Sequence, residues 1–152
     1  MKIYFASPLG FNPEHSDYRH RIKVHLQAQG HEIFDPWEQQ HVAEMISAAL
    51  AETDLAHQKA AIDQAAAYTG RMNKEGIDDC DVLLAVLDGA EPDSGTVAEL
   101  GYAAGKGMQC YGLRTDRRDS GDLPGLSINL QVLYFITSSG GNLFRNINQI
   151  AV

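Results

Sequence analysis

Two carboxylates, Asp93 and Glu99, lie within Asp93-Ser94-Gly95-Thr96-Val97-Ala98-Glu99-Leu100-Gly101-Tyr102-Ala103. They follow Val82-Leu83-Leu84-Ala85-Val86-Leu87, the most strand-like run in the chain, and a polar turn containing Asp88, Gly89 and Pro92. A buried strand, a turn and a Gly- and Ala-rich helix make half of a parallel β-α-β unit. Ligands of such sheets sit beyond the carboxyl ends of the strands, so both acids converge on the expected pocket. Glu99 has two readings. In Thr96-Val97-Ala98-Glu99 it fits a capping box, its side chain returning to the main-chain N–H of Thr96. Alternatively, amides at the helix N-terminus favour its ionised form and leave it a charged nucleophile at neutral pH. Tyr4 taken alone is an ordinary strand aromatic. In a parallel sheet, however, the carboxyl ends of strands one and three are neighbours, which places its hydroxyl to reach Glu99 and fix its orientation.

The elements that must position these groups alternate along the chain. Lys2-Ile3-Tyr4-Phe5-Ala6 reads as a first strand stopped by Ser7-Pro8-Leu9-Gly10-Phe11-Asn12-Pro13, and a helix runs from Ser16 or Asp17 to Gln29, with Gly30 at its end. His31 to Phe34 is a second strand, ended by the turn at Asp35-Pro36-Trp37. Val42 to Leu50 and Thr53 to Tyr68 are helical in propensity, with Gly70 a candidate break before a further helical stretch to Ile77. The third strand is Val82 to Leu87 and the fourth Gln109 to Leu113. A fifth is expected near Val132 to Ile136, with Gly141 to Ile150 closing the chain as a helix. This order predicts an α/β fold over residues 1–152: one domain, a doubly wound, five-stranded parallel sheet of flavodoxin-like or Rossmann-like type flanked by helices.

Composition narrows the chemistry. The 152 residues suffice for one domain with a real core. A net charge of −8 argues against a nucleic-acid surface, so no nucleic-acid polymer is expected as partner. Cys80 and Cys110 each flank an apolar run, which reads as two buried thiols of a cytoplasmic protein. No stretch approaches membrane-spanning length, and the amino-terminal apolar run is too short for a signal peptide. The six histidines include no i, i+4 pair, so no metal is expected, and no motif calls for a cofactor.

Three further stretches stay open. Ser7-Pro8-Leu9-Gly10 sits where such folds bind phosphate, but it lacks G-x-G-x-x-G or Walker spacing and equally suits a sugar or base. Trp37 is either core or a stacking surface for a base. Gln39 and Gln40 are either solvated or read a base edge.

With Tyr4-Phe5-Ala6-Ser7-Pro8-Leu9, Asp93-Ser94-Gly95-Thr96 and Glu99-Leu100-Gly101-Tyr102-Ala103 placed, the chain resembles the nucleoside 2-deoxyribosyltransferase family from residue 2 to about residue 135. The resemblance implies an enzyme that exchanges the base of a 2′-deoxynucleoside for another free nucleobase. Glu99 is then the nucleophile, Tyr4 its orienting residue and Asp93 the acid holding a deoxyribose hydroxyl, with Ser7 and Gly95 beside the substrate. Gln40 stands where the family contacts the base. Asn129, with Gln131 beside it, matches the side chain that members lend to a neighbouring subunit, which implies a homo-oligomer. Asn73 stands where several members carry an Asp thought to protonate the leaving base. An amide can hydrogen-bond a base but cannot act as an acid, so Asp93, water or an acid from elsewhere would have to serve.

The implied reaction proceeds through a covalent glycosyl-Glu99 with retention at C1′. Two rivals share the residues. If water resolves the intermediate, the protein is a 2′-deoxynucleoside or deoxynucleotide N-glycosidase. If Glu99 is only a cap, the protein is a non-catalytic nucleotide-sensing module.

Overall fold

Side-chain parity along the strands decides what reaches the site. In the computed structural model, which describes residues 1–152, strand β1 (Lys2–Ala6) sends Ile3 and Phe5 to one layer and Tyr4 and Ala6 to the other. Strand β3 (Val82–Val86) divides in the same way, Val82, Leu84 and Val86 from Leu83 and Ala85. Successive residues of a strand point to opposite faces, and central strands of a parallel sheet are apolar on both. Tyr4 is paired in register with Leu83, so the two share a face.

The remaining strands are β2 (Glu32–Phe34), β4 (Gln109–Leu113) and β5 (Leu143–Phe144). All pairings are parallel and the order is β2-β1-β3-β4-β5, the doubly wound arrangement expected from the alternation of elements. Helix α1 (Ser16–Ala28) packs Ile22 and Leu26 on the layer of Ile3 and Phe5. Helices α3 (Leu55–Asp78), α4 (Ser94–Gly105) and α5 (Leu130–Ser138) cover the layer of Tyr4 through Ile77, Leu100, Ala103, Val132 and Ile136. Helix α2 (Gln40–Ala51) folds back along α3. No helix is long and apolar enough to cross a membrane.

Three expectations about the elements are corrected. Val132 to Ile136 is helix α5, not a strand: Asn129 caps it, its side chain accepting from the N–H groups of Gln131 and Val132, and Val132 and Ile136 are buried at helical spacing. The fifth strand is the two-residue β5, and in place of a closing helix there is a single 3-10 turn, Ile147–Gln149. Gly70 does not interrupt α3, which runs unbroken for 24 residues. A glycine costs a helix interior only about 1 kcal/mol, and the Ala-rich flanks and packing against α2 outweigh that. Gly76, further along α3, has a defined role. A Cβ there would lie 2.4 Å from the Phe34 ring, so its absence lets Phe34 rest on the helix and stack on Tyr4, ring centroids 5.5 Å apart.

Candidate active site

The start of α4 decides the first ambiguity. Its N-cap is Asp93, three residues before Thr96, and Asp93 Oδ2 accepts from the Thr96 N–H (2.8 Å) and from Thr96 Oγ1 (3.0 Å). The N–H that a capping-box glutamate would claim is therefore taken. Glu99 lies in the second turn, facing β1. Its Oε1 accepts from Tyr4 Oη at 2.8 Å and from Asn73 Nδ2 at 3.1 Å, while Oε2 takes no hydrogen bond from the chain. One oxygen is tethered and the other is free.

The charge state follows from the same neighbours. Burial pushes the Glu99 carboxyl above its ordinary value, the nearby Asp93 acts in the same direction, and the bonds from Tyr4 and Asn73 oppose them. The helix N-terminus does not dominate as expected from the sequence, because its influence fades beyond the first turn. Tyr4, fully buried in the middle of β1 and not at its end, is raised by burial first and by the Glu99 charge, and so stays a protonated donor.

Glu99 opens into a cavity of about 620 Å³, within the range of small-molecule sites. Its apolar lining is Phe11, Pro36 and Trp37 from the loops, and Val42, Ala43, Ile46 and Leu50 from α2. The rest of the lining is Ser7, Gln39, Ser47, Thr69, Asn73, Asp93, Gly95, Thr96 and Glu99. The lining includes two carboxylates and no Lys, Arg or His. Trp37 is fixed on three sides. Its indole N–H donates to the Ser7 carbonyl at 2.7 Å, Phe11 meets it edge-on at 4.5 Å, and a Cβ on Gly10 would stand 2.0 Å from its ring. Its own turn is pinned by Asp35, a buried carboxylate that accepts from the Trp37 N–H at 3.1 Å and pairs with Arg19 at 2.6 Å and Lys23 at 3.3 Å. Such burial is tolerated because the charge is paired and hydrogen-bonded. The loop after β1 thus seats the Trp37 ring.

Of the residues singled out in the sequence, the structure brings together Glu99, Tyr4, Asp93, Asn73, Ser7 and Gly95. Ser7 Oγ is buried without a hydrogen-bond partner. Gln40 is not among them: it opens α2, is exposed and donates to Glu44 at 2.9 Å, while Gln39 lines the cavity. Asn129 and Gln131 lie outside this cavity, Asn129 capping α5 and donating to Asp122 at 3.1 Å. The sequence did not point to Phe11, Thr69 or the α2 lining. The apolar spacing of Val42, Ile46 and Leu50 was the available signal, but it reads equally as a core-facing stripe. A larger, open groove of about 850 Å³ runs along α1, lined in part by His20, Arg21 and His25, on the layer away from Glu99.

Residues 3–131 match the model of the nucleoside 2-deoxyribosyltransferase family. The chain belongs to that family. Its fold is shared with solved structures that cover nearly the whole chain. A 2-deoxyribosyltransferase from Bacillus psychrosaccharolyticus is 25% identical over 97% of this chain and 88% of its own, with a TM-score of 0.67. A conserved protein from Enterococcus faecalis V583 is 20% identical over 97% of this chain and 92% of its own, also at 0.67. A CMP N-glycosidase from Clostridium botulinum is 13% identical over 98% and 94%, at 0.56. A search of curated proteins finds no match. The same fold thus serves both a 2-deoxyribosyltransferase and a CMP N-glycosidase.

Proposed function

We propose that the protein is a nucleoside 2-deoxyribosyltransferase acting on uncharged 2′-deoxynucleosides and free nucleobases. The observation that carries this is the tethered Glu99, one oxygen held by Tyr4 and Asn73 and the other free at a cavity without a cationic side chain. Glu99 Oε2 attacks C1′, the base leaves, and a second base attacks from the face the first vacated, so that two inversions give net retention. The oxocarbenium-like transition state is stabilised by the adjacent carboxylate, and an electron-withdrawing 2′-hydroxyl would oppose that charge. Asp93, whose Oδ1 takes no hydrogen bond from the chain, accepts a sugar hydroxyl. Tyr4 is a positioning residue. It is fully buried and lies outside the cavity lining, so it does not crowd the sugar.

Two carboxylates in the lining would repel a 5′-phosphate, which favours nucleosides over the monophosphates that a CMP N-glycosidase takes. The active form is a homo-oligomer in which Asn129 and Gln131 serve a neighbouring subunit's site. Leu130 and Tyr134 stand exposed on the same helix, which suits burial against another chain. The experiment is to mix one 2′-deoxynucleoside with a different free base and follow products by chromatography, with Glu99→Ala as the blank. A new nucleoside is the expected product. Accumulation of free deoxyribose alone would make the protein an N-glycosidase, and no turnover with undiminished ligand binding would make it a sensor.

A further inference from the structure

Expulsion of a nucleobase is ordinarily assisted by a proton from a positioned acid. Around this cavity the ionisable lining side chains are Asp93 and Glu99, and the rest of the polar lining is hydroxyls and amides. Glu99 is engaged as nucleophile. Asp93 accepts both hydrogen bonds of Thr96 through Oδ2 at the start of α4, and its free Oδ1 is the oxygen assigned above to a sugar hydroxyl. From α3 the side chain facing Glu99 is the Asn73 amide, and from β1 it is the Tyr4 hydroxyl. Both donate to Glu99 Oε1, and Tyr4 lies sealed beneath the cavity. Asp35 and Cys80 act on Tyr4 but do not line the cavity. Toward a base, Gln39 offers an amide, which can share a hydrogen but not transfer one.

We propose that the base is expelled without a side-chain acid, departing as an anion held by neutral donors such as Gln39, so that the substrates are 2′-deoxynucleosides whose bases are good leaving groups. This inference rests on glycosyl transfer to Glu99. As the Glu99 Oε2–C1′ bond forms, the C1′–N bond breaks and its electron pair stays on the base nitrogen, and the anion then takes a proton from water. In the second half, the incoming base yields its N–H proton to water, its nitrogen pair forms the new C1′–N bond and the Glu99 carboxylate is released. Asn73 is then a positioning residue that keeps Oε1 occupied.

The test measures kcat/KM for base release in two graded series, 2′-deoxycytidines substituted at C5 and 2′-deoxyribosides of C6-substituted purines without a ring N–H, from acidic to alkaline pH. In the parent protein kcat/KM should fall by roughly 10²–10⁴-fold from the best to the poorest leaving group, the size that general-acid help ordinarily supplies. The pH profile should rise once, with ionisation of Glu99, and then stay flat. Asn73→Asp should compress the spread and add a descending alkaline limb. A spread under about tenfold, or a descending limb in the parent protein, overturns the inference. If that limb vanishes in Asp93→Asn, the acid is Asp93. The parent data decide even if Asn73→Asp fails to fold. Absence of base release from every compound, with the protein folded, refutes glycosyl transfer itself and is thereby distinguishable.

Discussion

Replacing Tyr4 by Phe tests the link between fold and chemistry most directly. The ring stays, so its stack on Phe34 and its place in the core survive, and a single donor is lost from Glu99 Oε1. At 2.8 Å and screened from bulk water, this is a hydrogen bond to a charged acceptor, a class worth about 1.5–3 kcal/mol. The bond favours the carboxylate over the carboxylic acid and opposes the upward push from burial. Its removal raises the pH at which Glu99 ionises. On the acid limb of kcat/KM, the ionised fraction should fall by roughly 10- to 150-fold, at one factor of ten per 1.4 kcal/mol. On the plateau Glu99 is ionised in both proteins, and the loss is smaller. The assay is base release across the acid limb with parent and Tyr4→Phe in parallel, with thermal unfolding to verify the fold. A limb that stays in place, or moves to lower pH, would refute the claim that Tyr4 acts by stabilising the anion.

Glu99→Gln should reduce turnover by about 10⁴–10⁶-fold, the scale on which single members of a nucleophilic constellation fail, measured as single-turnover base release. Its stability should move the other way. A carboxyl raised by folding contributes stability present below its unfolded pKa and lost as pH rises through the folded one, so at neutral pH Gln removes a burden and Tm should equal or exceed the parent's, with the gap closing in acid. Gly10→Ala places a Cβ 2.0 Å from the Trp37 ring and should cost about 1–3 kcal/mol, with a raised KM and a shift in the emission of the single tryptophan. Cys80 and Cys110 are both pushed up to about 11 by burial, so neither should react with a thiol reagent at neutral pH until the protein is unfolded.

Most of the sheet was legible because β1, β3 and β4 are apolar runs bounded by turn residues, and the junction of β3 with α4 carries its own punctuation. The run from Leu130 to Ile136 was not, since Leu, Val, Tyr, Phe and Ile suit strand and helix alike. The deciding signal was the capping side chain of Asn129 just before it. Glu99 was ambiguous for a related reason: both Asp93 and Thr96 are good caps, and only their geometry shows that Asp93 takes the role. At Gln39 and Gln40 the composition is identical and a one-residue rotation at the start of α2 decides which enters the cavity. The link from Gly76 through Phe34 to Tyr4 joins residues far apart in sequence and has no local signature.

The parity of β1 sets a limit on how this chain can vary. An insertion or deletion of one residue between Lys2 and Tyr4 that was absorbed by sliding the strand would turn the tyrosine into the layer of α1 and strip Glu99 of its donor, even though the sheet remained fully paired. A slide of two would restore the face but carry the hydroxyl about 6.6 Å along the strand, out of reach of Glu99, so β1, paired on both sides, holds its register, whereas the turns at Glu52–Asp54 and Gly121–Gly125 are free of that constraint.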